Sequence, residues 1–259
     1  MSYGVGASCR RIAPLDPLPT PGPMLRLLVP AAVALVALAA TSDVTVASFS
    51  TMRPGGDVAG FEALQFNDAD PTDYALVTED GRTVVRADAD DSAGGLVRRI
   101  DIDPAATPIL SWSWKVENVL QKGDVRRKSG DDYPARLYIT FDYDPSDLSF
   151  GDRIKYRALK LLGYGDIPVR ALNYIWANNA NETAIVENPY TDWVQMVPVQ
   201  SGADGLGAWQ TERRNVLDDY RAAFGEDPPA INAIAIMTDG DNTGEAATAY
   251  YGDIRMSAR

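Results

Sequence analysis

From residue 74 onward, the chain is dominated by short runs in which apolar and polar residues alternate. The runs are rich in the β-branched and aromatic residues that favour strands, and turn residues such as Asp-Gly, Asp-Pro and Pro-Pro separate them. The predicted strands are residues 74–78, 83–89, 95–102, 109–116, 135–142, 172–177, 194–200, 231–238 and 249–255. Many short strands with few helices between them predict a mainly β protein, an antiparallel β-sandwich or jelly roll.

Two stretches have the period of a helix instead. Residues 211–224 carry an apolar stripe that includes Val216 and Tyr220, and Gly225 follows as a typical helix end. Residues 152–162 carry a second stripe with basic residues on the other faces, inside a connection of roughly 30 residues. The pattern favours a solvated surface helix there, and a lid with a basic face is the alternative.

The first part of the chain differs in composition from the rest. Residues 1–23 are rich in Pro and Gly without periodicity, so we expect an unstructured extension or a start assigned upstream of the true one. Residues 24–47 resemble a secretory signal peptide, with Arg26 before an apolar run that is shorter than the ~20 residues of a membrane-spanning helix. Small residues allow cleavage after Ala39 or Ala47, and an uncleaved anchor is the alternative.

These features predict the location and the domain organisation of the mature protein. We expect it to be periplasmic or secreted, with no transmembrane span after cleavage. Residues 48–59 are predicted to be a linker, and residues 60–259 a single β-sandwich domain.

Composition limits the chemistry of any site. The chain has no His, one Cys at position 9, and 36 Asp and Glu against 24 Lys and Arg, for a net charge of −12. His-dependent triads, bases and metal sites are therefore excluded, and Cys9 precedes the predicted cleavage sites. We expect no cofactor unless it is an oxygen-ligated ion, for which Ca²⁺ is the first candidate. The acidic balance argues against nucleic acid as a partner.

One predicted strand presents a polar face. Arg136, Tyr138 and Thr140 alternate with apolar residues that form the expected core side. The polar face lies against either solvent or a cleft. Asp131 and Asp132 come just before the strand, so either carboxylate is placed to pair with Arg136 and hold it rigid.

Tryptophans offer a second kind of contact. Trp112 and Trp114 share one face of their strand, where they would stack on sugar rings in a groove or, as the pattern favours, belong to the core. Asn173 and Trp176 lie in a strand that ends in an amide-rich turn. Asn beside aromatic residues suits polyol recognition, although Asn is also an ordinary turn residue, the interpretation that we favour slightly.

The last candidate is an acidic loop, residues 239–245, that follows an apolar strand. It resembles the nucleophile motif of haloacid-dehalogenase-type phosphatases, but too few residues follow for that fold. It also resembles the start of an EF-hand, but Tyr250 stands where a bidentate Glu is required. What remains is either an oxygen-rich loop able to hold Ca²⁺ or bind hydroxyl groups through Asp239, Asp241 and Asn242, or a plain turn, which the pattern favours.

Several motifs together resemble a bacterial family of exported proteins known as domain of unknown function 3047. The motifs are LSWSWKV at 110–116, KSGDDY at 128–133, ARLY at 135–138, ALNYIWAN at 171–178, NPYT at 188–191, MTDGDNTGE at 237–245 and YGDI at 251–254. The resemblance covers roughly residues 60–256 and implies a galactose-binding-like jelly roll, similar to carbohydrate-binding modules. The residues that we select as a ligand-binding site are Asp131, Asp132, Arg136, Tyr138, Asn173, Trp176, Asp239, Asp241 and Asn242.

Three functions are compatible with these observations. The first is a non-catalytic β-sandwich that binds a glycan or another polyhydroxylated polymer of the cell envelope. The second is a carboxylate-dependent glycoside hydrolase or polysaccharide lyase, but no two acids are paired by the sequence, so binding is favoured over catalysis. The third is an envelope assembly or interaction protein without a small ligand.

Overall fold

Two β-sheets packed face to face form the protein, which is described by a computed structural model. The structure describes residues 1–3, 43–66, 68–144, 146, 148, 150–153 and 169–259. The strands are β1 Val44–Ala47, β2 Glu62–Gln65, β3 Asp73–Glu79, β4 Arg82–Asp90, β5 Ala93–Ile102, β6 Ile109–Val116, β7 Arg136–Phe141, β8 Ala171–Ala177, β9 Val186–Asn188, β10 Thr191–Ser201, β11 Gln210–Asn215, β12 Ile231–Asp239 and β13 Ala246–Ser257.

The strand order shows a sandwich whose chain crosses repeatedly between the sheets. The first sheet has the order β11-β6-β13-β4-β3, with β1 paired to the end of β13. The second has the order β2-β5-β12-β7-β8-β10-β9. The predicted β-sandwich is therefore confirmed, and each of the predicted strands corresponds to an observed strand.

One strand pair departs from the antiparallel prediction. After β8 the chain runs back as β9 at the edge of the second sheet, and β10 then inserts between β8 and β9. As a result, β10 is antiparallel to β9 but parallel to β8.

The predicted helix at 211–224 is shorter than expected. Residues Gln210–Asn215 instead form β11, which pairs with β6 at the edge of the first sheet. The helix α1 covers Val216–Phe224; Asn215 caps its N-terminus, and Gly225 ends it with a φ of 74°. Of the helix predicted at 152–162, all but the first two residues lie outside the described part of the chain.

The core lies between the sheets and is built around aromatic side chains. Trp112 packs edge-to-face on Trp114, with ring centroids 5.4 Å apart, and also contacts Tyr174 from the opposite sheet. Both tryptophans are buried, so the favoured prediction of a core position is confirmed for them.

The domain begins earlier than the predicted residue 60. Strand β1, predicted as the end of the signal peptide, pairs with β13, and Val46 and Ala47 are buried. The predicted linker contains the buried Phe49 and also Ser50, whose backbone N–H and hydroxyl donate to the Asp253 carboxylate. These residues are part of the sandwich because their apolar side chains extend its core.

Contacts divide the chain into two units, Met1–Ala39 and Ala40–Arg259, and the sandwich is the second of them. Residues 4–42, with most of the predicted extension and signal peptide, lie outside the described residues. None of the helices within the described ranges has the length and apolar character that a membrane span requires.

Candidate functional site

The candidate site lies at one end of the sandwich, where β12 ends beside the start of β7. These strands are antiparallel neighbours, and Met237 is paired with Arg136. Asp239 therefore lies close to the segment before β7. This segment contains Asp131 and Asp132. The end of β9 also lies at this end of the sandwich, because the side chain of Asn188 donates a hydrogen bond to Asp131. Segments far apart in sequence thus meet at one end of the fold.

A buried ion pair between Arg136 and Asp239 is at the centre of this site. Both residues are only 2% exposed. The guanidinium donates to both carboxylate oxygens, with an Nε–Oδ1 distance of 2.9 Å, and to the backbone carbonyl of Asp131. The backbone N–H of Tyr133 also donates to Asp239, at 2.9 Å. Such bidentate, charge-assisted bonds hold β12 and the 131–136 segment in a fixed relation.

Asp132 fixes the acidic loop in the same way. Its carboxylate is buried and accepts from the Asn242 amide at 3.1 Å and from the Thr243 backbone N–H at 2.6 Å. Asn242 also donates to Asp241, at 3.2 Å. Asp241 is exposed, and its pKa is raised by partial burial and by the nearby charge of Asp132.

Three of these carboxylates are close enough together to suggest a cation site. One oxygen each from Asp132, Asp239 and Asp241 lie within 4.8 Å of one another. However, both oxygens of Asp132 and both of Asp239 accept hydrogen bonds from the protein, and those on Asp239 include a guanidinium. A Ca²⁺ ion would have to share these oxygens with the bound N–H groups and lie beside the Arg136 guanidinium, so the donor set fits internal bonding better than the predicted ion.

The carboxylate of Asp131 is hydrogen-bonded to Asn188, the last residue of β9. The amide of Asn188 donates to both oxygens of its carboxylate, at 3.1 and 2.9 Å. Burial raises the pKa of Asp131 above its usual range, whereas Arg136 and Asn188 oppose that shift. Asn188 also accepts from the backbone N–H of Tyr190, at 2.9 Å.

Tyr190 is the exposed aromatic residue of the site. Its side chain is 51% exposed, and its hydroxyl donates to the Asn242 carbonyl oxygen at 2.7 Å. The ammonium of Lys128 lies 5.0 Å from the ring centroid. The sequence prediction did not include Asn188 or Tyr190 in the site, although the NPYT motif contains both.

Tyr138 and Asn173 lie beside this group, on the outer face of the second sheet. They are paired across β7 and β8, and the Tyr138 hydroxyl accepts from Arg136 Nη1 at 3.2 Å. Asn173 is completely buried, and its amide nitrogen contacts the sulfur of Met196 at 3.5 Å. The polar face that the sequence predicts on β7 is therefore present.

Trp176 is not part of the site, and its prediction as a ligand contact is wrong. It is completely buried on the inner face of β8, with its ring centroid 6.2 Å from that of Trp114. Its indole N–H donates to the carbonyl of Gly202 at 3.0 Å. Since Trp112, Trp114 and Trp176 are all in the core, none of them stacks on a ligand.

An open depression adjoins the network at Asn242. It has a volume of about 590 Å³ and a mainly polar lining. The lining residues are Gln121, Lys122, Gly123, Asp124, Arg127, Ser129, Asn179 and Asn242. Except for Asn242, none of these residues belongs to the predicted site, although Ser129 lies in the KSGDDY motif and Asn179 in the amide-rich turn after β8.

The acidic cluster does not present two facing carboxylates to a substrate. Asp132 and Asp239 are buried, and each accepts hydrogen bonds on both carboxylate oxygens, whereas Asp241 is exposed. A glycoside hydrolase needs two acids that both reach the scissile bond. This cluster therefore gives no support to the hydrolase alternative.

Comparisons with known proteins show what the chain resembles. A family model described as "Protein of unknown function (DUF3047)" matches residues 59–255, in agreement with the resemblance seen in the sequence. No curated protein matches the chain.

Several solved structures are similar to the chain at low sequence identity. A family 11 carbohydrate-binding module of the cellulase Lic26A-Cel5E of Clostridium thermocellum is 11% identical, with 84% of this chain and 95% of that chain covered and a TM-score of 0.41. A variant family 29 module complexed with mannohexaose is 8% identical, with 84% and 92% covered and a TM-score of 0.37. Likenesses at these levels do not bear on the ligand of this chain.

Proposed function

The chain belongs to the DUF3047 family of proteins of unknown function, and from its site we propose that it is an exported, non-catalytic β-sandwich that binds a glycan or another polyhydroxylated polymer of the cell envelope. The contact surface in this proposal is the polar depression together with the exposed ring of Tyr190.

The observation that carries the proposal is the lining of the depression. The lining includes Gln121, Asn179 and Asn242, whose side chains carry amides, and Ser129, which carries a hydroxyl. The Asn179 and Asn242 amides also make hydrogen bonds within the protein, to the Gly123 carbonyl and to Asp132 and Tyr190. Amides and hydroxyls both donate and accept hydrogen bonds, so they match the hydroxyl groups of a sugar, which do the same. The charged lining residues are partly neutralised, since the Arg127 guanidinium lies 3.2 Å from the Asp124 carboxylate.

The network behind the depression supports binding because it keeps the contact groups in place. Asn242 is held by Asp132 from one side and by the hydroxyl of Tyr190 from the other. A side chain that is already ordered loses little conformational entropy when a ligand binds. The half-exposed ring of Tyr190 adds an apolar face on which a sugar ring can stack.

Export is the second part of the proposal. It is supported by the signal-peptide features of residues 24–47. Without His, and with Cys9 upstream of either cleavage site, the mature chain would depend on carboxylates, amides and hydroxyls for recognition.

A glycan array probed with the full chain and with Tyr190→Ala tests the binding proposal. We expect wild-type protein to bind a subset of envelope glycans and the variant to bind about tenfold more weakly, which corresponds to the upper range for one aromatic contact. Phe66→Ala is the matched control, because Phe66 is an aromatic residue of similar exposure beside β2, at the opposite edge of the second sheet from β9. Absence of binding by the wild type, or equal binding by wild type and Tyr190→Ala, would overturn the proposal.

A further inference from the structure

The loop before β7 concentrates positive charge in a strongly acidic chain. The chain has a net charge of −12, yet its residues 122–128, KGDVRRK, include four basic residues and one acidic residue. All four basic residues are exposed. Because exposed charges more than about 8 Å apart are largely screened at physiological ionic strength, a bound group responds to this local set more than to the net charge of the chain.

Two of these basic residues line the polar depression. Lys122 and Arg127 are lining residues, and Asp124 is the one acid among the lining residues that the structure describes. The volume of about 590 Å³ is within the range of about 300–1,000 Å³ that is usual for ligand pockets. The lining therefore carries one more positive than negative charge.

Both lining cations keep hydrogen-bond donors that a ligand can use. The ammonium of Lys122 donates to the carbonyl of Thr243 at 2.8 Å, which leaves two of its three N–H groups. The guanidinium of Arg127 lies beside Asp124 through Nε, at 3.2 Å from Oδ2, which leaves its terminal nitrogens. The Arg127 side chain is also 76% exposed.

The acids that contact this loop already have partners in the protein. Asp124 accepts from the backbone N–H of Arg126 at 2.9 Å on one oxygen and lies beside Arg127 with the other. Glu182 is paired with the guanidinium of Arg126 at 3.3 Å, and Glu245 accepts from the backbone N–H of Lys122 at 3.1 Å. The exposed Asp241 is not a lining residue. The remaining donors of Lys122 and Arg127 are therefore available to an anion.

We propose that the depression binds an acidic sugar unit, so that the glycan of the proposed function is anionic. The anionic group, a carboxylate or a sulfate or phosphate ester, pairs with Lys122 and Arg127, and the side-chain amides of the lining bind hydroxyl groups. A neutral sugar in the depression would take water from the Lys122 ammonium without supplying a counter-ion, which costs binding free energy. This inference deepens the proposed function and rests on it.

The test is an array in which each acidic glycan is printed beside its neutral counterpart, probed with the full chain. Polygalacturonate and hyaluronate are paired with their carboxyl-reduced forms, dextran sulfate with dextran, and phosphomannan with dephosphorylated mannan. We expect at least one acidic glycan to bind about tenfold or more tightly than its counterpart, and its binding to weaken with added NaCl. The pair that shows this difference identifies the anionic group.

Lys122→Gln and Arg127→Gln test the two residues themselves. Each change removes the charge of an exposed side chain, so we expect an unchanged melting temperature and about fivefold weaker binding of the preferred acidic glycan. Binding of the neutral counterpart should not change. Arg99→Gln is the matched control and should bind like wild type, because Arg99 is an exposed arginine that lies 3.6 Å from Glu62 and lines a different depression.

The outcomes separate this inference from the proposed function. If wild type binds neutral glycans as tightly as their acidic counterparts, the acidic-sugar inference is wrong and the proposed function stands. Weakening of the same size by Arg99→Gln would show an effect of net charge alone, and it would also overturn the inference. If wild type binds no glycan on the array, the proposed function fails, and the inference fails with it.

Discussion

Arg136 places one positive charge among the buried carboxylates of the candidate site. It bonds to Asp239 in a bidentate geometry and lies 4.0 Å from the Asp131 carboxylate. Removing one member of a buried ion pair leaves the other charge without compensation. The site therefore depends on this residue for stability, even though Arg136 itself is almost inaccessible to a ligand.

For Arg136→Met, we predict a loss of about 3–5 kcal/mol in the free energy of unfolding, measured by urea denaturation. The double variant Arg136→Met/Asp239→Leu removes both charges and should recover part of that loss. A single variant as stable as wild type would show that the ion pair does not hold β7 and β12 together.

The buried carboxylate of Asp131 makes the free energy of unfolding depend on pH. Its pKa is raised above its usual range, so the folded protein binds a proton more readily than the unfolded chain does. At neutral pH the buried, ionised carboxylate lowers the free energy of unfolding. This cost disappears as the pH falls through the pKa of the folded state, because the carboxylate becomes protonated. We predict that wild type gains stability relative to Asp131→Asn between pH 7 and about pH 4, measured by thermal unfolding. A difference that stays constant or changes in the opposite direction would contradict this.

A site residue is predictable from sequence when the pattern that identifies it lies within one strand or motif. Strand alternation placed Arg136 and Tyr138 on the polar face of β7, because that information lies within one strand. The same alternation put Tyr174 and Trp176 together without showing which face of β8 is the core, so Trp176 was selected wrongly. The side chain of Tyr190 contacts Asn242 and Lys128, which are distant in sequence, so the NPYT motif alone does not show which residues it meets.

At the scale of elements, β1 shows that the sandwich includes residues upstream of the family match. Val44–Ala47 pairs with β13, and Phe49 packs in the core just after it. Cleavage after Ala47 would remove this strand, whereas cleavage after Ala39 would keep it. If a signal peptide is removed, cleavage after Ala39 is the alternative that leaves the sandwich with all of its described strands.

We predict that a chain starting at Ser48 is less stable than one starting at Asp43. Burial of Val46 alone contributes about 1.5–3 kcal/mol, and the backbone pairing with β13 adds to it. Differential scanning calorimetry of the two chains measures the difference. Equal melting temperatures would show that β1 contributes nothing to the fold.

Most of the strands followed from sequence, and the exceptions have physical reasons. The hairpin of β3 and β4 was predictable because Asp80-Gly81 adopts positive φ values of 50° and 78°, as a tight hairpin turn requires. Strand β11 was mistaken for helix because its sequence, QTERRN, is polar and runs directly into α1. Its position is determined by pairing with β6, where Trp114 donates to Glu212 at 3.2 Å.

At the scale of the whole molecule, the two sheets provide a rigid support for a site built from loops at one end. The acidic cluster, the Tyr190 turn and the polar depression are built from four parts of the chain, near residues 121–132, 179, 190 and 239–242. Asn242 contacts or lines all three features. This arrangement separates the two roles of the polar residues. Arg136, Asp132 and Asp239 stabilise the site through internal bonds. The exposed residues Gln121 and Asn179 and the ring of Tyr190 are accessible to a ligand.

The most direct test of this account is nuclear magnetic resonance of the full chain, titrated to saturation with its tightest array glycan. We predict chemical-shift changes concentrated at residues 121–129, at the side-chain amides of Asn179 and Asn242, and around Tyr190. Spectra that do not change at saturating glycan, or changes confined to the outer face of the first sheet around Tyr250, would contradict the account.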